Sequence, residues 1–311
     1  MSFLDLTPPL TFRVPLLPIT LALVGAGGTG SHLLQNLIKI VLHAADAGLP
    51  PIKLVVIDGD TVERKNCRGR QLFQPRDIGH NKAEVLAARF NAAYGLKLVA
   101  VPKMATADIL KEYAPHPDKT IGILVGCVDR PSGRRVMHAA LRNQTGWRIW
   151  VDAGNGRNGG QIAWGTAADK RQMRGALLMP GLCTEVPGPS LQFPKLLTLG
   201  EEAPVVDCGQ RIALGEQHLL INVQMAALGA VYLHKLIIDR ELDHLCSQVS
   251  LDPPMLSTTM LTETTIATVS KVPPGVLRGE PPRTLARETE RRSHQRRTNH
   301  HVQRHHQGVG T

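Results

Sequence analysis

Residues 19–38 read ITLALVGAGGTGSHLLQNLI: an apolar run (19–24), a glycine-rich turn (25–31) and the start of a helical pattern. Leu33, Leu34, Leu37, Ile38, Val41 and Leu42 recur at helical spacing until Gly48 and the pair Pro50 and Pro51. The unit is therefore strand, turn, helix. Gly25, Gly27 and Gly30 form G-x-G-x-x-G, with Gly28 between them. Bare backbone in such a turn lets phosphates approach, and the helix N-terminus attracts negative charge. A second strand, KLVVID (53–58), ends on Asp58, a carboxylate suited to ribose hydroxyls in NAD and ATP alike. These residues point to a nucleotide without naming it.

Working outward, helices are predicted at 82–94, 106–113 and 132–142, and strands at 96–101, 120–126 and 147–152. Alternating helices and continuously apolar strands predict a doubly wound α/β fold with a mostly parallel sheet covered on both faces. Residues 1–18 read as an extended lead-in. An alternating strand is expected at 160–167, then a crossover loop over 168–214, which holds five prolines and no clear period. A late apolar helix spans 217–239, and two short strands follow near 249–252 and 262–269. The domain is expected to end at 271, leaving 272–311 as a disordered Arg/His-rich tail.

Of 311 residues, 36 are Lys or Arg against 26 Asp or Glu, a formal charge of +10. Half of that surplus lies in 272–311, which carry eight Arg and three Glu. Aromatic residues make up only 4%, too few for the base-stacking surfaces of single-strand binders, so the charge argues poorly for a nucleic-acid partner. The five cysteines form no CxxC pair, against a disulfide framework or a four-thiolate zinc site. No apolar run is read as long enough to span a membrane, and the N-terminus lacks the layout of a secretory signal. A cytoplasmic location is the expectation.

What discriminates among nucleotides is the stretch DGDTVERKNCRGRQLFQPRDIGHNK, 58–82. Hydride transfer needs little positive charge beyond the helix end. Chemistry at an α-phosphate needs cations for the charge growing on the phosphoryl oxygens and the leaving pyrophosphate. Arg70 and Lys82 supply them, while Asn66 and Gln71 are polar groups able to hold the nucleotide and these cations. Asp129, in GCVDRPSGR after the fourth strand, falls at the crevice where open α/β sheets bind ligands, and its carboxylate suits Mg²⁺.

In that order the motifs resemble the ubiquitin-activating-enzyme-like superfamily, the ThiF/MoeB/HesA group. They are GAGGTGS (25–31), D-x-D-x-V-E-x-x-N from Asp58 through Asp60 to Asn66, Arg70-Gln71, D-I-G-x-x-K-A (77–83) and C-V-D (127–129). The resemblance runs more weakly through GGQIAW (159–164) and the late helix. Within the group it looks most like the ThiF-related proteins of bacterial PRTRC cassettes, which accompany a ubiquitin-like protein and a JAB-type peptidase.

The resemblance implies an enzyme that uses ATP and Mg²⁺ to adenylate the C-terminal Gly carboxylate of a small ubiquitin-like, β-grasp or sulfur-carrier protein, working as a homodimer. It assigns Gly25, Gly27, Gly28, Gly30, Asp58, Asp60, Asn66, Arg70, Gln71 and Lys82 to ATP, and Asp129 to the metal. Three residues separate Asn66 from Arg70 where the group has two, so Arg68 competes for Arg70's role. Paired CxxC motifs are missing, and Arg13 is the only arginine ahead of the first strand. Some members pass the activated partner to a cysteine in the crossover region; Cys208, near Arg211, has the matching place, with Cys183 as runner-up and Cys67 and Cys127 as packing residues. Two rivals stay open, an NAD(P)-dependent oxidoreductase and a non-catalytic scaffold of the same fold.

Overall fold

The structure, a computed structural model, describes residues 8–69, 71–198, 218 and 220–280. In chain order the strands are β1 (Phe12–Arg13), β2 (Ile19–Val24), β3 (Ile52–Ile57), β4 (Val99–Val101), β5 (Ile121–Gly126), β6 (Trp147–Asn155), β7 (Gly159–Gly165), β8 (Glu241–Leu242), β9 (His244–Leu251) and β10 (Pro254–Met260). The helices are α1 (Gly28–Asp46), α2 (Lys82–Tyr94), α3 (Ala107–Glu112), α4 (Pro131–Arg142), α5 (Pro189–Gln192), α6 (Ile221–His234), α7 (Glu263–Ser270) and α8 (Pro274–Leu277).

One sheet of eight strands runs in the order β10-β9-β7-β6-β5-β2-β3-β4, with β6 through β4 parallel and the β7, β9 and β10 pairings antiparallel. β1 and β8 pair separately. The apolar run of β2 has a simple cause. Side chains alternate between faces of a strand, and Ile19, Leu21 and Leu23 join a core with α1, α2 and α6 while Ala22 and Val24 join a second core with α3 and α4. With both faces buried, every position but Thr20 is apolar, and the doubly wound prediction holds.

The chain proceeds outward from β2 to β3 and β4, then returns to place β5 on the other side of β2. That reversal opens a crevice at the C-terminal ends of β2 and β5, where α/β sheets bind ligands.

Three expectations are corrected. Residues 262–269 form helix α7, not a strand. Thr262 accepts from the Thr265 amide (3.1 Å) and its own amide donates to the Thr265 hydroxyl (2.9 Å), a reciprocal cap that outweighs the β-branched run behind it. The chain also stays folded past 271: α8 buries Leu277, Val272 is buried beside it, and the Leu177 amide donates to the Leu277 carbonyl at 2.9 Å. Residues 281–311, most of the expected tail, lie outside the described residues. Finally, Ile221–Asp239 forms 19 residues of helix long and apolar enough, by length and composition, to cross a membrane. Asn222, Gln224, His234 and Lys235 disguise this in the sequence. More than half of it is buried, with Gly229 against Leu33 and Met225 over Gly160 of β7, as in a core helix.

The crossover segment is packed as far as described: Met173, Ala176, Cys183, Val186 and Leu196 are buried. Residues 199–217 lie outside the described residues, Cys208 and Arg211 among them.

Candidate functional site

A cleft of about 600 Å³ occupies the crevice at the ends of β2, β3, β5 and β6. Its floor is the glycine turn. Gly27 caps α1 without any side-chain hydrogen bond, so the first amides of α1 are left for a ligand. The glycines divide by role. A Cβ on Gly27 would meet nothing within 4 Å, so this Cα faces open cleft; a Cβ on Gly30 would lie 1.9 Å from the Gly25 carbonyl oxygen. Gly30 is therefore a packing glycine that lets α1 close on the turn. Gly25, Gly27 and Gly28 line the cleft and Gly30 does not.

At the end of β3, Asp58 is fixed through both oxygens, which accept from the amides of Ala26 (2.6 Å) and Asp60 (2.8 Å). Burial pushes its carboxyl above the ordinary range, and the Ala26 hydrogen bond and the Lys82 charge oppose that shift. Asn81 sets Lys82 in place. Its side-chain oxygen caps α2 by accepting from Ala83 and Glu84, and its amide nitrogen donates to the carbonyls of Asp58 (2.8 Å) and Asp60 (3.1 Å). The first residue of α2 is thereby tied to the end of β3. The buried Lys82 ammonium then lies 3.0 Å from the exposed carboxylate of Asp60.

Asn66 is buried, and its side-chain oxygen accepts from the Glu63 amide at 2.8 Å. Gln71 is buried too, with Oε1 lacking a partner among the described residues. The Leu72 amide next to it donates to Ser31 of α1 (3.3 Å), which holds this loop over the glycine turn. Arg70 lies outside the described residues. Arg68 is exposed and is not part of the cleft lining. Across the cleft, Asp129 is exposed and lines it directly before α4, whose first residue is Pro131.

Beneath that wall, Arg134 Nε of α4 donates to both oxygens of Asp152 on β6, each at 3.1 Å, and both residues are buried. Burial raises the Asp152 carboxyl and Arg134 opposes the rise. The pair bolts α4, and so the loop carrying Asp129, to the sheet.

The sequence reading missed two parts of the site. One is an apolar wall of Ile57, Met104, Ala105, Val128 and Val136, contributed by four segments of the chain. The other is an amide cluster. Asn155 donates to Thr29 (3.1 Å) and to Asn222 Oδ1 (2.5 Å), which also accepts from Thr29 (3.1 Å). A polar residue at the start of the apolar α6 was the available signal for Asn222.

The cysteines separate cleanly. Cys183 is buried, its thiol donates to the Glu185 carbonyl at 2.8 Å, and burial pushes it up to about 12, which disfavours the thiolate. It lines a different cavity, of about 660 Å³, with Leu17, Ile121 and Trp147 at the N-terminal ends of the strands, away from the cleft. That removes it as runner-up. The Cys67 thiol donates to the Gln74 carbonyl at 3.2 Å, and burial raises the thiols of both Cys67 and Cys127, in keeping with packing roles. Arg13, on β1, faces Glu241 at 3.8 Å in an exposed pair.

Known proteins are similar to this chain over part of its length. The human ubiquitin-like modifier-activating enzyme 7 is 43% identical over 93 residues, 29% of this chain, and the Dictyostelium discoideum NEDD8-activating enzyme E1 catalytic subunit is 31% identical over 120 residues, 39% of this chain. The matched stretches span only 8% and 24% of those relatives' own lengths. The fold is similar to that of E. coli MccB, solved with AMPCPP and MccA, at 18% identity and a TM-score of 0.50 over 78% of this chain and 64% of that one. Residues 14–164, which carry the glycine turn, Asp58, Lys82 and Asp129, match the ThiF family.

Proposed function

We propose that this chain is an ATP-dependent adenylating enzyme acting on the C-terminal Gly carboxylate of a small ubiquitin-like protein. One observation carries the reading: a bare glycine Cα on the cleft floor is flanked by a fixed cation, Lys82, on one side and the exposed carboxylate of Asp129 on the other. The apolar wall from Ile57 to Val136 suits an adenine ring, and Asp58 is anchored where ribose hydroxyls would donate to it. The names of the matched activating enzymes and the AMPCPP in the MccB structure support the same chemistry.

In the reaction, a carboxylate oxygen of the partner attacks the α-phosphorus, the bond from that phosphorus to the bridging oxygen breaks, and pyrophosphate leaves with the electron pair. Lys82 holds the departing phosphates, with Arg70, twelve positions earlier in the chain, as the second cation, and Asn66 and Gln71 orient them. Asp129 fits a hard cation because its carboxylate is exposed and has no ion pair among the described residues. Asp129 would hold Mg²⁺, which would supply positive charge to offset that growing on the phosphoryl oxygens.

The finer reading is a PRTRC-type ThiF protein, homodimeric and cytoplasmic, whose substrate is a small β-grasp protein ending in Gly. Transfer from the adenylate to Cys208 is a further step of this reading. Cys208→Ala is expected to keep pyrophosphate exchange and lose any thiol-reducible adduct with the partner; persistence of the adduct removes Cys208 from the mechanism.

ATP:pyrophosphate exchange in the presence of a Gly-terminated β-grasp protein tests the whole proposal. Lys82→Ala and Asp129→Ala are each expected to lower the exchange rate about a hundredfold. Tight NAD(P) binding without ATP binding would establish the oxidoreductase instead, and ATP binding without exchange would establish a scaffold.

A further inference from the structure

The amide cluster opposite Lys82 carries one more assignment. Asn222 is 1% exposed, lines the cleft, and its Nδ2 has no hydrogen-bond partner among the described residues. That donor is not idle by accident of the surface. An unmatched buried amide costs about 1–3 kcal/mol, so a ligand that supplies an acceptor recovers it. The nitrogen lies 2.5 Å from where a Cβ on Gly28 would stand, at the first turn of α1. Its oxygen is fully used by Thr29 and Asn155, which fixes which way the nitrogen points.

Position in the sheet says what kind of group the donor meets. Along the row of strand ends, Asp58 belongs to β3, the glycine turn to β2 and Asn155 to β6, on the far side of β5. Lys82 and the loop carrying Asn66 and Gln71 stand at the β3 side, so the charged phosphates have their cation there. Among the described residues that line the cleft, the β6 side offers neutral donors: Thr29, Asn155 and Asn222. A neutral donor set suits a neutral oxygen. We infer that Asn222 is a positioning residue for the acyl end of the substrate, its Nδ2 donating to the carbonyl oxygen of the terminal Gly as the carboxylate is joined to the α-phosphate.

The inference rests on the adenylation reading, and its test separates the two. Two ligands are titrated calorimetrically into the full chain: AMP, and 5′-O-(N-acetylglycyl)sulfamoyladenosine, a stable mimic of a glycyl adenylate. Asn222→Ala is expected to bind the glycyl mimic about three- to tenfold more weakly, the size of one lost hydrogen bond, while AMP binding changes less than twofold. Asn222→Asp is the second variant. It keeps an oxygen for Thr29 and Asn155 and removes the amide donor, so it covers the case in which the alanine variant does not fold. Equal loss for both ligands, or no loss for either, overturns the assignment of Asn222. A wild-type chain that binds neither ligand overturns the adenylation reading and the assignment with it.

Discussion

Gly30→Ala is expected to destabilise the fold by about 4 kcal/mol, while Gly27→Ala, three residues earlier in the same motif, leaves the melting temperature nearly unchanged and abolishes nucleotide binding. The new methyl at Gly30 would stand 1.9 Å from the Gly25 carbonyl oxygen, and neither partner can yield, because both belong to backbone that holds α1 against β2. At Gly27 the methyl meets nothing within 4 Å and takes space in the cleft. Thermal melts of both variants with and without ATP decide the matter. A well-folded Gly30→Ala chain, or a Gly27→Ala chain that still binds ATP at wild-type strength, contradicts this division.

Arg134→Met is expected to cost about 3–5 kcal/mol, the penalty for leaving a buried carboxylate unpaired. Asp152 is 1% exposed and both of its oxygens take their hydrogen bonds from Arg134. The loss also has a pH signature. Burial already raises the Asp152 carboxyl above its ordinary value, so the folded state holds this proton more tightly than the unfolded chain. Without Arg134 the rise grows. Stability is then retained at low pH, where Asp152 is protonated and neutral, and is lost as pH rises from the usual carboxylate value through the raised one. Urea unfolding at pH 5 and pH 8 should show the larger deficit at pH 8, and an equal deficit at both would mean that packing, not charge, is what Arg134 supplies. The Asp152→Asn, Arg134→Met double variant is expected to recover part of the loss.

The two residues of that pair were invisible as a pair in the sequence, and the reason is general to this chain. Arg134 and Asp152 are 18 positions apart, on different elements, and each alone reads as a surface charge. The same holds for Asn155 and Asn222, 67 positions apart, and for the apolar wall of the cleft. Five of the cleft residues found from sequence, Asp58, Asp60, Asn66, Gln71 and Lys82, lie on one continuous loop and its flanks, where order along the chain stands in for position in space.

Local signals worked where one force dominates. The parallel strands were legible because burial on both faces makes nearly every position apolar, and α2 was placed within its bounds because Asn81 caps it and Gly95, at φ 65°, ends it. They failed at α7, where a run of β-branched residues suggested a strand and a cap of two threonines made a helix.

The sequence alone determined the doubly wound architecture, the nucleotide turn and the acidic and basic residues around it, since each follows from periodicity or from contiguous spacing. The tertiary structure decided which glycine faces the cleft and which only packs, that Cys183 is out of reach of the cleft, and that Asn222 lines it. Those facts depend on what stands opposite a residue across the fold, and one-dimensional order does not encode that distance.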